Sequence, residues 1–460
     1  MKLQQNEAEH RRSMQLLCLI AAAASIFPFL IADSMFPGYG SYLKEKFMPI
    51  PSLLFFGSVL SQQLSGTARK NVLLSAAMVL LFVVVQTQHW LIEMGNSNFA
   101  VFAAVYLLAF PYASVAEKKG QCVGLNWVGG ICVAYSLLMT ALTGMLLVDA
   151  VPEMLAASVR WEGTRLSVFT HPNGVGGTLL IGIGFSLFFL MKADRKWKKY
   201  VLAALTLLQF LAQILTNSRT SIFLACALFA GTVFFVLWNG TWKRFLSGAV
   251  MALAVIAVLF SLSGKVFDLH TEAQITKLMN QTEAEAAENG AGQQLHINEQ
   301  TGEITVTGTM VSSQGELSSD MKTLNGRIWI WAAAFSSLLD NPSYQVWGTE
   351  YASAEISYRM NTTVANAHNA WVQTLMEMGF FGYVMATVFT LVAVWHLWKE
   401  MWRKNGDMSR KIVAMIVICV LLASVLESYL FVGGMNLMNF VFFLCTGYLI
   451  QWNAEAAGKV

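Results

Sequence analysis

Residues 245–263, FLSGAVMALAVIAVLFSLS, run for nineteen positions without a charged side chain, between Lys243-Arg244 and Lys265. A helix rises about 1.5 Å per residue, so about 20 apolar residues cross the hydrocarbon core of a bilayer. The stretch therefore reads as a membrane span. Similar runs recur on both sides of it, at about 13–31, 47–65, 71–88, 98–115, 123–148, 174–191, 199–216, 219–238, 370–397, 411–432 and 436–452. The expected fold is an all-α polytopic membrane protein of about twelve transmembrane helices. Of the 460 residues, 56% are apolar and 12% charged, against about half and a quarter in a soluble protein. The formal net charge of +3 is too small for a nucleic-acid partner.

Three parts follow from the spans: residues 1–263 with helices 1–9, an extramembrane loop over 264–367, and residues 368–460 with helices 10–12. Within the loop, 270–322 is rich in Gln, Glu, Thr, Gly and Ser and reads as a solvated, partly disordered insert. Inside it, LHINEQTGEITVTG (295–308) alternates like a short hairpin. After it, NGRIWIWAAAFSSLLDNP (325–342) predicts an interfacial helix over 327–340, capped by Asn325 and stopped before Pro342.

Lys and Arg concentrate on alternate joints, at Arg69/Lys70, Lys118/Lys119, Lys192 to Lys199, Lys243/Arg244 and Lys399 to Lys411. Positive charge marks the cytoplasmic side. Both termini are then cytoplasmic, and the loops 149–173 and 264–367 lie outside. The first run follows Arg11 and Arg12 without a small-x-small cleavage site and reads as an uncleaved anchor. Cys18, Cys122, Cys132, Cys226, Cys419 and Cys445 lie in or beside apolar runs with no CxxC pair, so they read as small buried hydrophobes.

Charged residues avoid the span middles; Asp33, Arg219, Glu377 and Glu427 fall near outer ends. Polar chemistry is thus expected at the outer face. Arg219 opens a span in LTNSRTSIFLA, where Asn217 or Ser218 can cap the helix. Unpaired N–H groups at a helix start, with an adjacent Arg, make a diphosphate cradle. The alternative is an anchor that snorkels to lipid phosphates. Arg327 repeats the arrangement at the start of the interfacial helix, with the same two readings. Arg165, in RLSVFTHPNG, is a third cation candidate or a plain surface-loop residue.

His368 opens the tenth span in AHNAWVQTLMEMGFFGY, and on a continuous helix Gly379 and Gly382 share its face. That face would pack closely against protein, with His368 at its outer mouth and Glu377 roughly opposite. An imidazole there is either an interfacial polar group or a base that deprotonates an acceptor hydroxyl. No DxD, HExxH, P-loop or GxSxG motif is present, which disfavours a nucleotide-sugar transferase, an ATPase and a zinc protease.

Taken in order, Arg165 with His171-Pro172-Asn173, Ser218-Arg219, Gly326-Arg327 with Trp331, Asn341-Pro342 through Gly348, and His368-Asn369 followed after nine residues by Gly379-x-x-Gly382 resemble the O-antigen ligase and polymerase superfamily of bacterial membrane glycosyltransferases. The resemblance spans about 160–432. It departs from the family in the 270–322 insert and in Phe223, where an Arg-x-x-x-Leu pattern has Leu. It implies a GT-C-like scaffold in the cytoplasmic (inner) membrane and metal-independent inverting transfer of a glycan from undecaprenyl diphosphate, with no cofactor. It also implies that Arg219 and Arg327, with Arg165 beside them, bind the diphosphate and that His368 is the catalytic base. The partners implied are undecaprenyl diphosphate-linked oligosaccharide or polysaccharide, a glycan or lipid acceptor, and membrane lipids. A ligase, which makes one transfer, and a polymerase, which builds a ladder, share these motifs. A lipid or glycan transporter is a third reading, and it calls for internal repeats and a polar midplane path.

Overall fold

The computed structural model describes residues 2–36, 39, 43, 47, 49–64, 108–118, 120–162, 165–238, 241–289, 295–298, 303–306, 316–349, 351–362, 364, 366–403, 406–428, 430–431 and 436–458. Backbone alone is described at 2–6, 62–64, 242, 274–275, 277–289, 295–298, 303–306 and 316–326. In chain order the elements are α1 (Lys2–Met35), α2 (Pro49–Leu64), α3 (Val123–Leu147), α4 (Glu153–Ala156), β1 (Val159–Glu162), β2 (Arg165–Val168), α5 (Pro172–Lys192), α6 (Lys196–Leu215) and α7 (Arg219–Leu237). They continue with α8 (Trp242–Asn289), β3 (Leu295–Asn298), β4 (Glu303–Val306), α9 (Glu316–Asp340), α10 (Pro342–Trp347), α11 (Ala352–Met360), α12 (Ala370–Met401), α13 (Met408–Leu426) and α14 (Leu437–Ala456). Residues 108–116 are also helical.

Among the described residues, eight helices are long and apolar enough to cross a membrane: Glu7–Met35 within α1, then α3, α5, α6, α7, Lys243–Ala273 within α8, α12 and α13. The chain is a mostly helical polytopic membrane protein. The run expected at 71–88 and the start of that at 98–115 lie outside the described residues. The run expected at 47–65 appears as α2, whose apolar part, Ile50–Ser61, is short. The last run is α14, where Asn439, Gln451 and Asn453 dilute the apolar sequence of a helix enclosed by its neighbours.

Two small antiparallel hairpins supplement the helices. The pair β3–β4, Leu295 opposite Val306, matches the alternation read from 295–308. The pair β1–β2, Val159 opposite Val168, was not anticipated. Nor was the continuation of α8 to Asn289, where Ala, Glu, Gln and Lys of the insert favour helix over open chain. Helix α9 likewise begins at Glu316, so Asn325 lies within it and not at its start, and Arg327 does not stand at a helix start. The expected stop is found, with α9 ending at Asp340 and Pro342 opening α10.

Helix α5 is the most enclosed span and α8 the least. Its sequence explains why. Gly176 faces Ser218 and Ser221 of α7, Gly182 faces Ser136 of α3, and Gly184 faces Ile416 of α13, each so closely that a β-carbon would collide. Helices in lipid gain little from hiding apolar surface and associate through such close approach of small residues. Outward, α8 presents Leu246, Val250, Leu253, Val258 and Phe260, and α12 presents Val388, Leu391, Trp395 and Trp398, all exposed, as a lipid-facing surface requires.

Helix α12 is not continuous. Gly379 interrupts it at φ 61°, ψ −167°, a region open essentially only to glycine. The face shared by His368, Gly379 and Gly382 on an unbroken helix therefore does not exist. The glycine instead admits a backbone: the Val346–Gly348 segment at the end of α10 packs directly on residues 377–379, and Thr349 N–H donates to Met376 carbonyl at 2.7 Å. Gly379→Ala is expected to cost about 1–3 kcal/mol and to lower the melting temperature in detergent. Gly130→Ala on α3, where a β-carbon meets nothing within 4 Å, is expected to leave it unchanged. Differential scanning fluorimetry of the two variants makes the comparison.

Candidate active site

At one end of the bundle the starts of α5, α7 and α12 meet the end of α13. The start of α5 is built by His171-Pro172: proline occupies the first turn, where no N–H is needed, and His171 Nδ1 accepts from Asn173 N–H at 3.4 Å. The start of α7 is held by packing of Ser218 against Gly176. Ser218 supplies no side-chain cap and donates instead to Ser221 Oγ at 3.1 Å.

The start of α12 is the most heavily bonded of the three. Asn369 caps it, its Oδ1 accepting from Trp371 N–H (2.9 Å) and Val372 N–H (3.1 Å), while its Nδ2 donates to Val425 carbonyl of α13 (2.9 Å). Ala367 N–H donates to Gln373 Oε1 (2.7 Å), and its carbonyl accepts from Trp331 Nε1 of α9 (2.9 Å). Between these anchors His368 takes a left-handed backbone, φ 48°, with its N–H donating to Asn366 Oδ1 at 2.8 Å. Few non-glycine residues adopt that conformation, and here the flanking bonds impose it. It turns the imidazole toward α13.

What the imidazole meets is Glu427, at the C-terminal end of α13 and 8% exposed. Glu427 Oε2 lies 3.4 Å from His368 Nδ1. Glu427 Oε1 accepts from Arg327 Nη2 of α9 (3.2 Å) and from Asn173 Nδ2 of α5 (2.8 Å). Asn173 Oδ1 accepts in turn from Arg165 Nη2 (2.8 Å), and Arg165 Nε donates to Thr216 carbonyl just before α7 (3.3 Å). One carboxylate thus connects α5, α9, α12 and α13 directly, and β2 and the approach to α7 through Asn173.

Of the expected site residues, His368, Arg327 and Arg165 are brought into this network. Arg165 is no surface-loop residue: it lies on β2 and is 7% exposed, held by the paired hairpin. Arg219 is exposed at the first position of α7, with no hydrogen bond or ion pair to a described residue. Glu377 Oε1 accepts from Gln373 Nε2 of the same helix at 2.5 Å. Glu427 and the amide of Asn173 are the members that sequence reasoning passed over as parts of the site. The available signal was an acid in the apolar run LLASVLESYLF, at the same end of its span as His368. Among the described residues, no group of three or more His, Cys, Asp or Glu side chains is arranged to hold a metal.

Residues 204–387 match the family model described as O-antigen ligase. The match takes in Arg219, Arg327, His368, Gly379 and Gly382, while Arg165, Asn173 and Glu427 lie outside it. It supports the O-antigen ligase superfamily and indicates an O-antigen ligase- or polymerase-like function for this membrane protein. No curated protein matches the chain.

Removing the carboxylate takes away the acceptor of Arg327 Nη2 and Asn173 Nδ2 in a largely dry setting, a loss of about 1–3 kcal/mol or more. Glu427→Ala is accordingly expected to lower the melting temperature, and Arg219→Ala, which removes an exposed side chain, to leave it nearly unchanged. Thermal unfolding of both variants in the same detergent reads the difference.

Proposed function

We propose that the chain is a membrane glycosyltransferase of O-antigen ligase type, moving a glycan from undecaprenyl diphosphate to a glycan or lipid acceptor at the outer face of the cytoplasmic membrane. The observation that carries this reading is the convergence of His368, Arg327 and Asn173 on Glu427. With Nδ1–H directed at the carboxylate, Nε2 is the basic nitrogen and is available to the acceptor hydroxyl. As that oxygen attacks the anomeric carbon, Nε2 takes its proton. The bond from the anomeric carbon to the diphosphate oxygen breaks with inversion, and the leaving diphosphate takes the electron pair.

Cations stabilise that leaving group. Arg327 commits one nitrogen to Glu427 and its side chain is 20% exposed, so in this reading its remaining N–H groups serve the diphosphate. Arg219 contributes an exposed guanidinium beside the start of α7. Arg165 is a positioning residue in this reading, since its donors are engaged by Thr216 and Asn173. Three helix N-termini, those of α5, α7 and α12, add partial positive charge at the same end.

The outward placement rests on the loops. Lys192, Lys196, Lys198 and Lys199 lie at the far end of α5 and the start of α6, roughly 30 Å from the Glu427 network by helix rise. Positive charge of that kind belongs to the cytoplasmic side, which leaves both termini cytoplasmic and the site outside.

The test is incubation of reconstituted protein with labelled undecaprenyl diphosphate-linked oligosaccharide, with and without acceptors, resolved by size. His368→Ala is expected to lose on the order of 100-fold or more in rate, and Arg327→Ala to weaken use of the diphosphate-linked donor. A single shift that requires acceptor supports the ligase; a His368-dependent ladder from donor alone means a polymerase of the same superfamily. Equal product from wild type and His368→Ala removes His368 as the base.

A further inference from the structure

Beneath the site, the membrane interior of the bundle carries polar groups that the proposed transfer does not use. On α6, Thr206, Gln209, Gln213 and Thr216 recur at steps of three, four and three residues, which keeps them within an arc of about 80°, and none is more than 2% exposed. Thr216 is the outer member, and its carbonyl is the one that holds Arg165. The inner member lies about 15 Å deeper along the helix. Neighbouring helices extend the set: Ser186 of α5 donates to Gln209 Oε1 at 3.1 Å, and Ser136 of α3 stands against Gly182, one turn outward from Ser186. Helices α5 and α6 are joined only by residues 193–195 and run antiparallel. One turn outward from the Ser186–Gln209 pair therefore sets Gln213 level with Gly182 and Ser136.

Several of these groups are not satisfied by the described residues. Gln213 Nε2 and Oε1, Gln209 Nε2 and Ser136 Oγ are enclosed and have no hydrogen-bond partner among the described residues. A side-chain amide offers two donors and an acceptor, and leaving them unpaired in hydrocarbon is costly enough that spanning proteins avoid it. Buried polar groups that lack a protein partner are met by ordered water, which makes about three hydrogen bonds in such a place. Four polar side chains from three helices, converging at two successive levels, provide that number of partners.

We propose that Ser136, Ser186, Gln209 and Gln213 form a water-binding tract within the membrane-spanning core. The tract ends at Thr206, because the next turn of the same face inward is Leu202. The inference rests on burial and bonding alone and stands whether or not the chain transfers glycans.

Radiolytic hydroxyl-radical labelling tests it, because water held in a core generates radicals beside its own neighbours. Met139 of α3 is the reporter: it is fully buried, three residues from Ser136, and clusters with Ala212 and Leu215 of α6. Met415 of α13, 5% exposed in the main apolar core, is the control. In wild-type protein in nanodiscs, Met139 is expected to oxidise several-fold faster than Met415. In Gln209→Leu/Gln213→Leu, the Met139 rate is expected to fall to that of Met415 without loss of thermal stability. Equal rates at the two methionines in wild type overturn the proposal, and that comparison needs no variant to fold. An unchanged Met139 rate in a folded double variant overturns it too.

Discussion

The Glu427 carboxylate accepts from Asn173 and Arg327 and faces His368 across 3.4 Å. A largely buried carboxylate is tolerated only where donors surround it, and here they come from α5, α9 and α12, three elements far apart in the chain. The position of α9, which is not one of the eight apolar spans, is thereby coupled to the ends of helices that are. Trp331, one turn on from Arg327, repeats the connection by donating to Ala367 carbonyl beside His368. The geometry at His368 is a consequence of this network together with the Asn369 cap, and its left-handed backbone persists because bonds on both sides hold it.

Close approach of helices makes the network reachable. Glycines at 176, 182 and 184 let α7, α3 and α13 press against α5, which brings the starts of α5 and α7 to the end of α13. At the other side of the site, Gly348 and Gly379 share a backbone contact that clamps the loop after α10 on α12. Both take positive φ, so the same residues serve as a break in the helix and as room for the neighbouring chain. Packing by small residues and bonding by a few buried polar groups are the two means available inside a bilayer, and this chain uses each where the other is absent.

The polar groups fall into two sets with different partners. At the helix ends, charges meet charges and cap N–H groups, and every member of the Glu427 network has a protein partner. Along the inner face of α6 the groups are neutral, and several have none. Neutral amides and hydroxyls are less costly within a membrane than ions, so such a tract can persist where a second ion network would not. The two meet at Thr216, whose backbone carbonyl anchors Arg165 and whose Oγ1 donates to Gln213 carbonyl at 2.7 Å.

The sequence alone marked the eight described segments that are long and apolar enough to cross a membrane, because uninterrupted apolar length is a local property of the chain. It also determined that α7 begins at Arg219, that α9 stops before Pro342, and that 295–306 pairs as a hairpin, each from a residue or an alternation within a few positions of the feature. His368, Arg327 and Arg165 were legible as candidates through their motifs. Their relation was not. The helix through Gly379 read as continuous because periodicity carries no sign of a chain packed on it from Val346 to Gly348. Arg327 read as a helix start because the helix-forming residues before it belong to a polar insert. Glu427 was only an acid at a span end until α13 was set beside α12, and Arg165 only a loop residue until β1 covered it. Tertiary structure decided these points because they depend on contacts between separate segments, 51 residues apart for Arg165 to Thr216 and 254 for Asn173 to Glu427, and no local pattern encodes which distant group a side chain will meet.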